Sequence, residues 1–175
     1  MATATYVPIA TTTLTASGST YTFTGIPQTY TDLILVANWT ATTDGAGGII
    51  RVGNGSIDTG NNYASVYAVG RNNSTFVQAS EPAPTTSGIY IGEFVGAGAT
   101  NGNTAYCRIV NYTSTSYRKV FYLRYNFSYS SGTSWENAES IGLWRSTSAI
   151  DQIRFSTTSL TWASGTITLY GIKAA

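Results

Sequence analysis

Hydrophobic and polar residues alternate with a period of two along most of this chain, and no segment shows the periodicity of a helix. In the segment KVFYLRYNFSY, four large apolar residues from Phe121 to Phe127 share one face, and Val120, Tyr122 and Arg124 share the other. Successive side chains of a strand point to opposite faces, so this pattern predicts a β-strand. Because both faces carry large side chains, we expect this strand to be central in its sheet.

The same alternation predicts about ten short strands, separated by clusters of Gly, Asn and Ser that are typical of turns. The segment EPAPTTSG is assigned to such a turn, and the best helix candidate is the short segment SWENAES. Strands at this spacing predict an all-β fold, an antiparallel β-sandwich of jelly-roll type that forms one domain over residues 1–175. The predicted strands are Tyr21–Phe23, Asp32–Trp39, Gly48–Val52, Tyr63–Val69, Ile89–Val95, Thr104–Tyr112, Arg118–Phe127, Glu139–Arg145, Ile150–Ser156 and Thr166–Ile172.

The last predicted strand lies close to the C-terminus of the sequence, in SGTITLYGIKAA. Ile167, Leu169 and Gly171 share one face of it, whereas Tyr170 and Ile172 share the other. We expect the first face to be buried in a sheet of the core. Tyr170 and Ile172 are then candidates for contact with a neighbouring protein.

Composition limits the possible partners. Charged residues make up 10% of the chain and the net charge is +1, whereas 29 Thr and 19 Ser supply abundant hydroxyls. No basic patch is present, which disfavours nucleic-acid binding, and no signal peptide or membrane-spanning run is expected. Weakly charged surfaces resist association poorly, which suits a protein that works within an assembly. The single cysteine, Cys107, excludes an intrachain disulfide and is expected to be buried.

The chain has no histidine, and this removes the commonest general base and the commonest metal ligand. We therefore predict no catalytic residue, no metal and no cofactor, and hence no enzyme. A carboxylate pair for glycoside hydrolysis is a minor alternative, with Glu93 the only acid in the middle of a predicted strand. Asp32 and Asp151 open strands, which favours turn or capping roles, and Glu136 and Glu139 lie in the helix candidate.

The tryptophans divide by their position. Trp39 and Trp144 fall within strand patterns and are expected in the core or at an interface. Trp135 and Trp162 fall in or beside loops, and with Tyr129 they could form an exposed platform for a sugar. Aromatic side chains suit protein interfaces equally well, and we favour a subunit interface over a sugar platform.

Four segments of the chain carry recognisable motifs. They are an IP-x-x-Y-x-D-L turn, a strand pair around an Asn/Asp/Gly loop, an Asn-Tyr pair before a Ser/Thr turn, and an ending that joins W-x-S-T-x-A-I to L-Y-G-I. The residues that form these motifs are Ile26, Pro27, Tyr30, Asp32, Leu33, Arg51, Tyr63, Asn111, Tyr112, Trp144, Ser146, Thr147, Ala149, Ile150, Ala163, Gly165, Leu169, Tyr170, Gly171 and Ile172. In this order the four segments resemble recurrent segments of structural proteins from the virions of tailed bacteriophages.

The resemblance implies a jelly-roll-like sandwich in a phage particle, in roles such as capsid decoration, head fibre or tail fibre. The chain begins almost at once with a strand and shows no fibre shaft, which favours a compact head-associated protein. We therefore expect a decoration or cement protein that binds and stabilises the particle surface. It would be made in the bacterial host cytoplasm and located in the virion.

The expected partners are the major capsid protein or another virion protein, together with further copies of this chain, with a trimer favoured. Nucleic acid and membranes are not expected partners. The alternative function is a receptor- or carbohydrate-binding tip domain of a phage fibre, which would bind a host surface glycan. The candidate contacts with a partner or glycan are Tyr129, Trp135, Trp162, Tyr170 and Ile172.

Overall fold

The computed structural model describes residues 5–42, 47–72, 76–86, 88–93, 102–128, 135–157 and 161–173. All regular structure in these ranges is β-strand. The strands are β1 (Tyr6–Thr15), β2 (Thr20–Phe23), β3 (Asp32–Ala41), β4 (Gly47–Asn54), β5 (Ser56–Ile57), β6 (Tyr63–Arg71), β7 (Phe76–Thr86), β8 (Ile89–Glu93), β9 (Asn103–Val110), β10 (Lys119–Ser128), β11 (Trp135–Trp144), β12 (Gln152–Thr157) and β13 (Trp162–Ile172).

The strands form two antiparallel sheets that pack face to face. The larger sheet has eight strands in the order β1-β13-β3-β9-β10-β11-β6-β7. The smaller sheet has five, in the order β2-β12-β4-β5, with β8 also paired to β4. The predicted class, an all-β antiparallel sandwich, is therefore confirmed, whereas its jelly-roll type stays a prediction.

The core lies between the sheets and comes from the alternation seen in the sequence. Phe121, Leu123, Tyr125 and Phe127 of β10 are all buried in it. The strand lies between β9 and β11, so its predicted central place is confirmed. Trp39, Trp144 and Cys107 are buried too, as predicted, and burial raises the pKa of the Cys107 thiol.

The predicted helix in SWENAES is wrong, because this segment begins β11 and pairs with strands on both sides. Its residues alternate between exposed and buried, so Glu136 points into the sandwich and Glu139 points out of it. The Glu136 carboxylate forms an ion pair with Arg71. Glu139 Oε1 lies 2.8 Å from an Arg124 nitrogen on the neighbouring strand. Pairing with β10 and β6 on its two edges therefore holds this segment in a strand.

Two long strands, β1 and β7, were not predicted from the alternation of hydrophobic and polar residues. β1 is rich in Thr, and β7 includes most of EPAPTTSG, which the sequence assigned to a turn. Both strands lie at the outer edges of the larger sheet. Pro82 and Pro84 are compatible with an edge, since one side of an edge strand has no ladder hydrogen bonds to lose.

The closing strand pairs within a sheet, as predicted. β13 lies between β1 and β3 and pairs with both from Ile167 to Ile172, in continuous register with β3 and with one register shift in β1 between Pro8 and Ala10. The side chains of Ile167 and Leu169 are fully buried, and Gly171 is also on the buried face. The strand is therefore a central part of the larger sheet.

One end of the sandwich is described almost completely, and we call it the base. At the base, β3, β6, β10 and β12 begin, and β4, β9, β11 and β13 end. The segments that cross the base are residues 24–31, residues 55–62 with the short strand β5, and residues 111–118 and 145–151.

Candidate functional site

The four segments that carry the phage resemblance meet at the base. The ring of Tyr30 lies directly on Gly171. The hydroxyl of Tyr112 donates to the carbonyl of Pro27, and the backbone N–H of Ile150 donates to the Tyr112 carbonyl over 2.9 Å. Residues far apart in the sequence are thus assembled into one hydrogen-bonded unit.

Asp32 fixes one corner of the base. Its Oδ2 accepts from Arg108 Nε at 2.9 Å, and its Oδ1 accepts from the backbone N–H of Asn111 at 2.9 Å. Asn111 has a left-handed backbone with φ of 50°, a conformation that Asn tolerates better than most residues. The turn role predicted for Asp32 is confirmed. Asp151 has such a role too, because its carboxylate accepts from the backbone N–H of Gly55.

Lys119 fixes a second corner through backbone carbonyls. Its ammonium donates to the backbone carbonyls of Ser114, Tyr117 and Thr147, at 2.6, 2.8 and 3.0 Å. Burial lowers the pKa of this ammonium. The three bonds satisfy all the donors of Lys119 and tie two connections of the base together.

Asp58 fixes a third corner. Its Oδ2 accepts from Trp144 Nε1 at 2.8 Å and from Asn62 Nδ2 at 2.9 Å, and its Oδ1 accepts from the Gly60 N–H. Burial raises the pKa of the Asp58 carboxyl, but these hydrogen bonds outweigh the effect and hold the pKa below its usual 3.8.

We expect the stability of the protein to depend on the ionisation of Asp58. A lowered pKa in the folded state adds stability above pH 4, roughly, and this stability is lost as the pH falls through the folded pKa. Asp58→Asn should therefore destabilise the protein more at pH 7 than at pH 3, measured by urea unfolding of both proteins. A difference in unfolding free energy that stays constant over this range would contradict the assignment.

Three of the five predicted contact residues share the face of the larger sheet that points away from the smaller sheet, which we call the outer face. Tyr170 and Ile172 lie on it in β13, half-buried. Trp135 lies on it at the start of β11, with 55% of its surface exposed. Tyr129 lies outside the described residues.

Trp162 does not lie at the surface, so the expected exposed ring at this position is wrong. Only 2% of it is exposed, and it stacks on Phe155 with ring centroids 6.0 Å apart. The register of β13 with β3 shifts between Trp162 and Ser164, which marks a β-bulge. An extra residue in a strand reverses the alternation beyond it, so the bulge turns Trp162 into the core.

One side of the outer face has almost no charge. The sequence of β1, β13 and β3 contains a single ionic side chain, Asp32, which is buried against Arg108. Neighbouring hydroxyls bond to one another here, with Thr11 Oγ1 3.1 Å from Thr168 Oγ1. We call this surface the neutral flank, and its outward side chains on β1 and β13 are Tyr6, Pro8, Thr11, Thr13, Thr15, Ser164, Thr166, Thr168, Tyr170 and Ile172.

The other side of the outer face is concave. A groove of about 710 Å³ crosses β9, β10, β11, β6 and β7. Two rows of side chains in register line it. The first row runs from Tyr122 through Ile141 and Val66 to Ser80, and all but the last are apolar or aromatic.

The second row is mostly polar. It runs from Tyr106 through Arg124, Glu139 and Ala68 to Gln78. The Arg124 and Glu139 side chains are exposed and pair at 2.8 Å, so their charges cancel. Successive positions on one face of a strand are about 7 Å apart, so the apolar and polar rows lie side by side.

The groove was not predicted from the sequence. The sequence placed Tyr122 on the face of its strand opposite to Phe121 and Phe127, and half of its surface is exposed. Tyr106, Val66 and Ile141 lie on three other strands, and nothing in the sequence brought them together.

The acidic side chains that the structure describes have structural partners. Asp32, Asp58 and Asp151 serve the base, Glu136 pairs with Arg71, and the side chain of Glu93 lies outside the described residues. Within the described ranges no three potential metal ligands of the His, Cys, Asp and Glu types cluster. In the same part of the chain, no helix is long and apolar enough to span a membrane.

Comparisons with family models, with curated proteins and with solved structures find no match to this chain.

Proposed function

We propose that this chain is a non-enzymatic structural protein of a tailed-phage particle, and more specifically a head-associated decoration protein. The resemblance of the four segments suggests the particle, and their assembly at the base supports a common structural purpose for them. The observation that carries the proposal is the neutral flank, which is suited to be buried against another protein.

Burial of the neutral flank against another protein would leave no unpaired charge in the interface. Isolated charges are costly to remove from water, and the cores of protein interfaces are accordingly depleted of them. The hydroxyls of the flank are already partly paired, for example Thr40 Oγ1 with Ser164 Oγ at 2.9 Å. Tyr6, with 57% of its surface exposed, adds an aromatic anchor beside Tyr170 and Ile172.

The partner in this proposal is the major capsid protein or another protein of the particle, and copies of the chain form a closed oligomer, with a trimer favoured. A protein that binds the assembled shell and not its free subunits stabilises the shell by linkage. Particles that lack this chain should therefore release their genome at a lower temperature than particles that carry it. Equal resistance of the two to heat would contradict a cementing role.

We expect Thr166→Arg to prevent attachment to the particle. Thr166 is exposed near the middle of the neutral flank, so the isolated variant should fold, but an arginine there would be buried without a partner. The matched control is Asn137→Arg, which adds the same charge at an exposed position of β11, away from the flank. Quantitative mass spectrometry of purified particles should find occupancy reduced about tenfold or more for the flank variant only. Equal occupancy of the two variants would contradict docking through the flank.

A further inference from the structure

The groove on the outer face has a size and lining that a flat protein contact does not require. Its volume of about 710 Å³ falls within the range of about 300–1,000 Å³ that is usual for small-ligand sites. It crosses five strands, which are about 4.8 Å apart, so it is about 19 Å long. These dimensions suit a short linear ligand.

We propose that the groove binds an uncharged oligosaccharide, a chain of linked pyranose rings. This inference goes beyond attachment to a particle and uses a different part of the outer face. It also assigns glycan binding to residues other than the loop tryptophans that the sequence suggested.

The apolar row supplies the contacts for the sugar rings. Tyr122 of the apolar row is 50% exposed, and Tyr106 at the start of the polar row is 40% exposed, so both present ring surface to a ligand. The C–H bonds of a pyranose ring pack against the electron-rich face of an aromatic ring, and aliphatic side chains can continue that contact. Ile141 and Val66 lie beside Tyr122 in the apolar row, are each about half exposed, and extend the apolar floor of the groove.

The polar row supplies hydrogen bonds for hydroxyls. Arg124 offers donors and Glu139 offers acceptors, and both are exposed enough to reach a ligand while they remain paired. Gln78 adds an exposed amide at the far end of the row, with one donor and one acceptor group.

The charge of the groove selects against anionic ligands. Among the residues that the structure describes, Arg124 and Glu139 are the ionic ones that line it, and they neutralise each other. A uronate or a phosphate would meet Glu139 without an excess of positive charge to balance it. An uncharged glycan complements this surface, and its hydroxyls can bond to both members of the pair.

The test begins with binding of the purified chain to an array of neutral and anionic glycans, followed by titration calorimetry with the strongest neutral oligosaccharide. Tyr122→Ala should weaken binding about tenfold, and Tyr122→Phe should keep most of the affinity because it keeps the ring. Tyr6→Ala removes a tyrosine of similar exposure, 57%, that does not line the groove, and it should leave affinity unchanged. Thermal unfolding of each variant confirms that it is folded.

The proposal is overturned if no neutral glycan binds, if only anionic glycans bind, or if Tyr122→Ala binds as tightly as Tyr6→Ala. These outcomes are separable from a failure of the proposed decoration role. Tyr122→Ala should leave particle occupancy unchanged, whereas Thr166→Arg should leave glycan affinity unchanged.

Discussion

Truncation of the chain after Gly165 is expected to abolish folding and to give insoluble protein. The missing segment removes most of β13 from between β1 and β3, so two strands lose their partner at once. It also removes the fully buried side chains of Ile167 and Leu169. Loss of one such side chain costs about 2–5 kcal/mol, and a whole domain is stable by only about 5–15 kcal/mol.

The truncated chain would also expose new sheet edges. Unpaired edges of β1 and β3 are templates for pairing with other chains, which leads to aggregation. A control truncation after Ile172 keeps the whole strand and should stay folded, although it loses the hydrogen bond from the Lys173 N–H to the Thr5 carbonyl. The measurement is the soluble fraction with circular dichroism and urea unfolding. A soluble, cooperatively folded chain ending at Gly165 would show that β13 is misplaced.

Substitution of Gly171 by alanine is expected to destabilise the protein by about 1–3 kcal/mol, the usual cost of overpacking. A Cβ atom at this position would overlap the Cγ, Cδ1 and Cδ2 atoms of Tyr30. These atoms form the near end of the ring, so a rotation of the ring about its own axis would not clear them. Either the backbone around Tyr30 or that of β13 must move.

The matched control is Gly70→Ala in β6, where the nearest atom to an added Cβ is 3.9 Å away. This variant should stay within about 0.5 kcal/mol of the wild type in urea unfolding. With Tyr30→Ala as background, Gly171→Ala should cost much less, because the clashing ring is absent. Equal stability of the Gly171→Ala variant and the wild type would refute the contact between the two resembling segments.

Much of the sandwich could be predicted because alternation reports directly which face of a strand is buried. The prediction succeeded for Phe121–Phe127 and for Ile167 and Leu169, where both neighbours in the sheet impose the same burial. It failed where local sequence and sheet position disagree. Glu136 and Glu139 suggested a helical turn, yet pairing along both edges of β11 holds them in a strand.

The candidate sites were less predictable, because they depend on register between distant strands. Trp162 was expected at the surface, and one bulge in β13 moves it into the core. Tyr122 and Val66 are more than 50 residues apart in the sequence and become neighbours only through the pairing of Ile141 with both. The neutral flank could not be predicted either, because β1, which forms part of it, was not among the strands that the alternation predicted.

In our proposal the chain is part of a phage particle and is buried there along its neutral flank, with the groove left open. Electron cryomicroscopy of intact particles of the phage that we propose to encode this chain tests it most directly. We expect density for the sandwich at symmetric positions on the head, with Thr166 and Tyr170 against a neighbouring protein and Tyr122 facing solvent. Particles without the chain, or a chain whose neutral flank faces solvent while Tyr122 is buried against the shell, would contradict it.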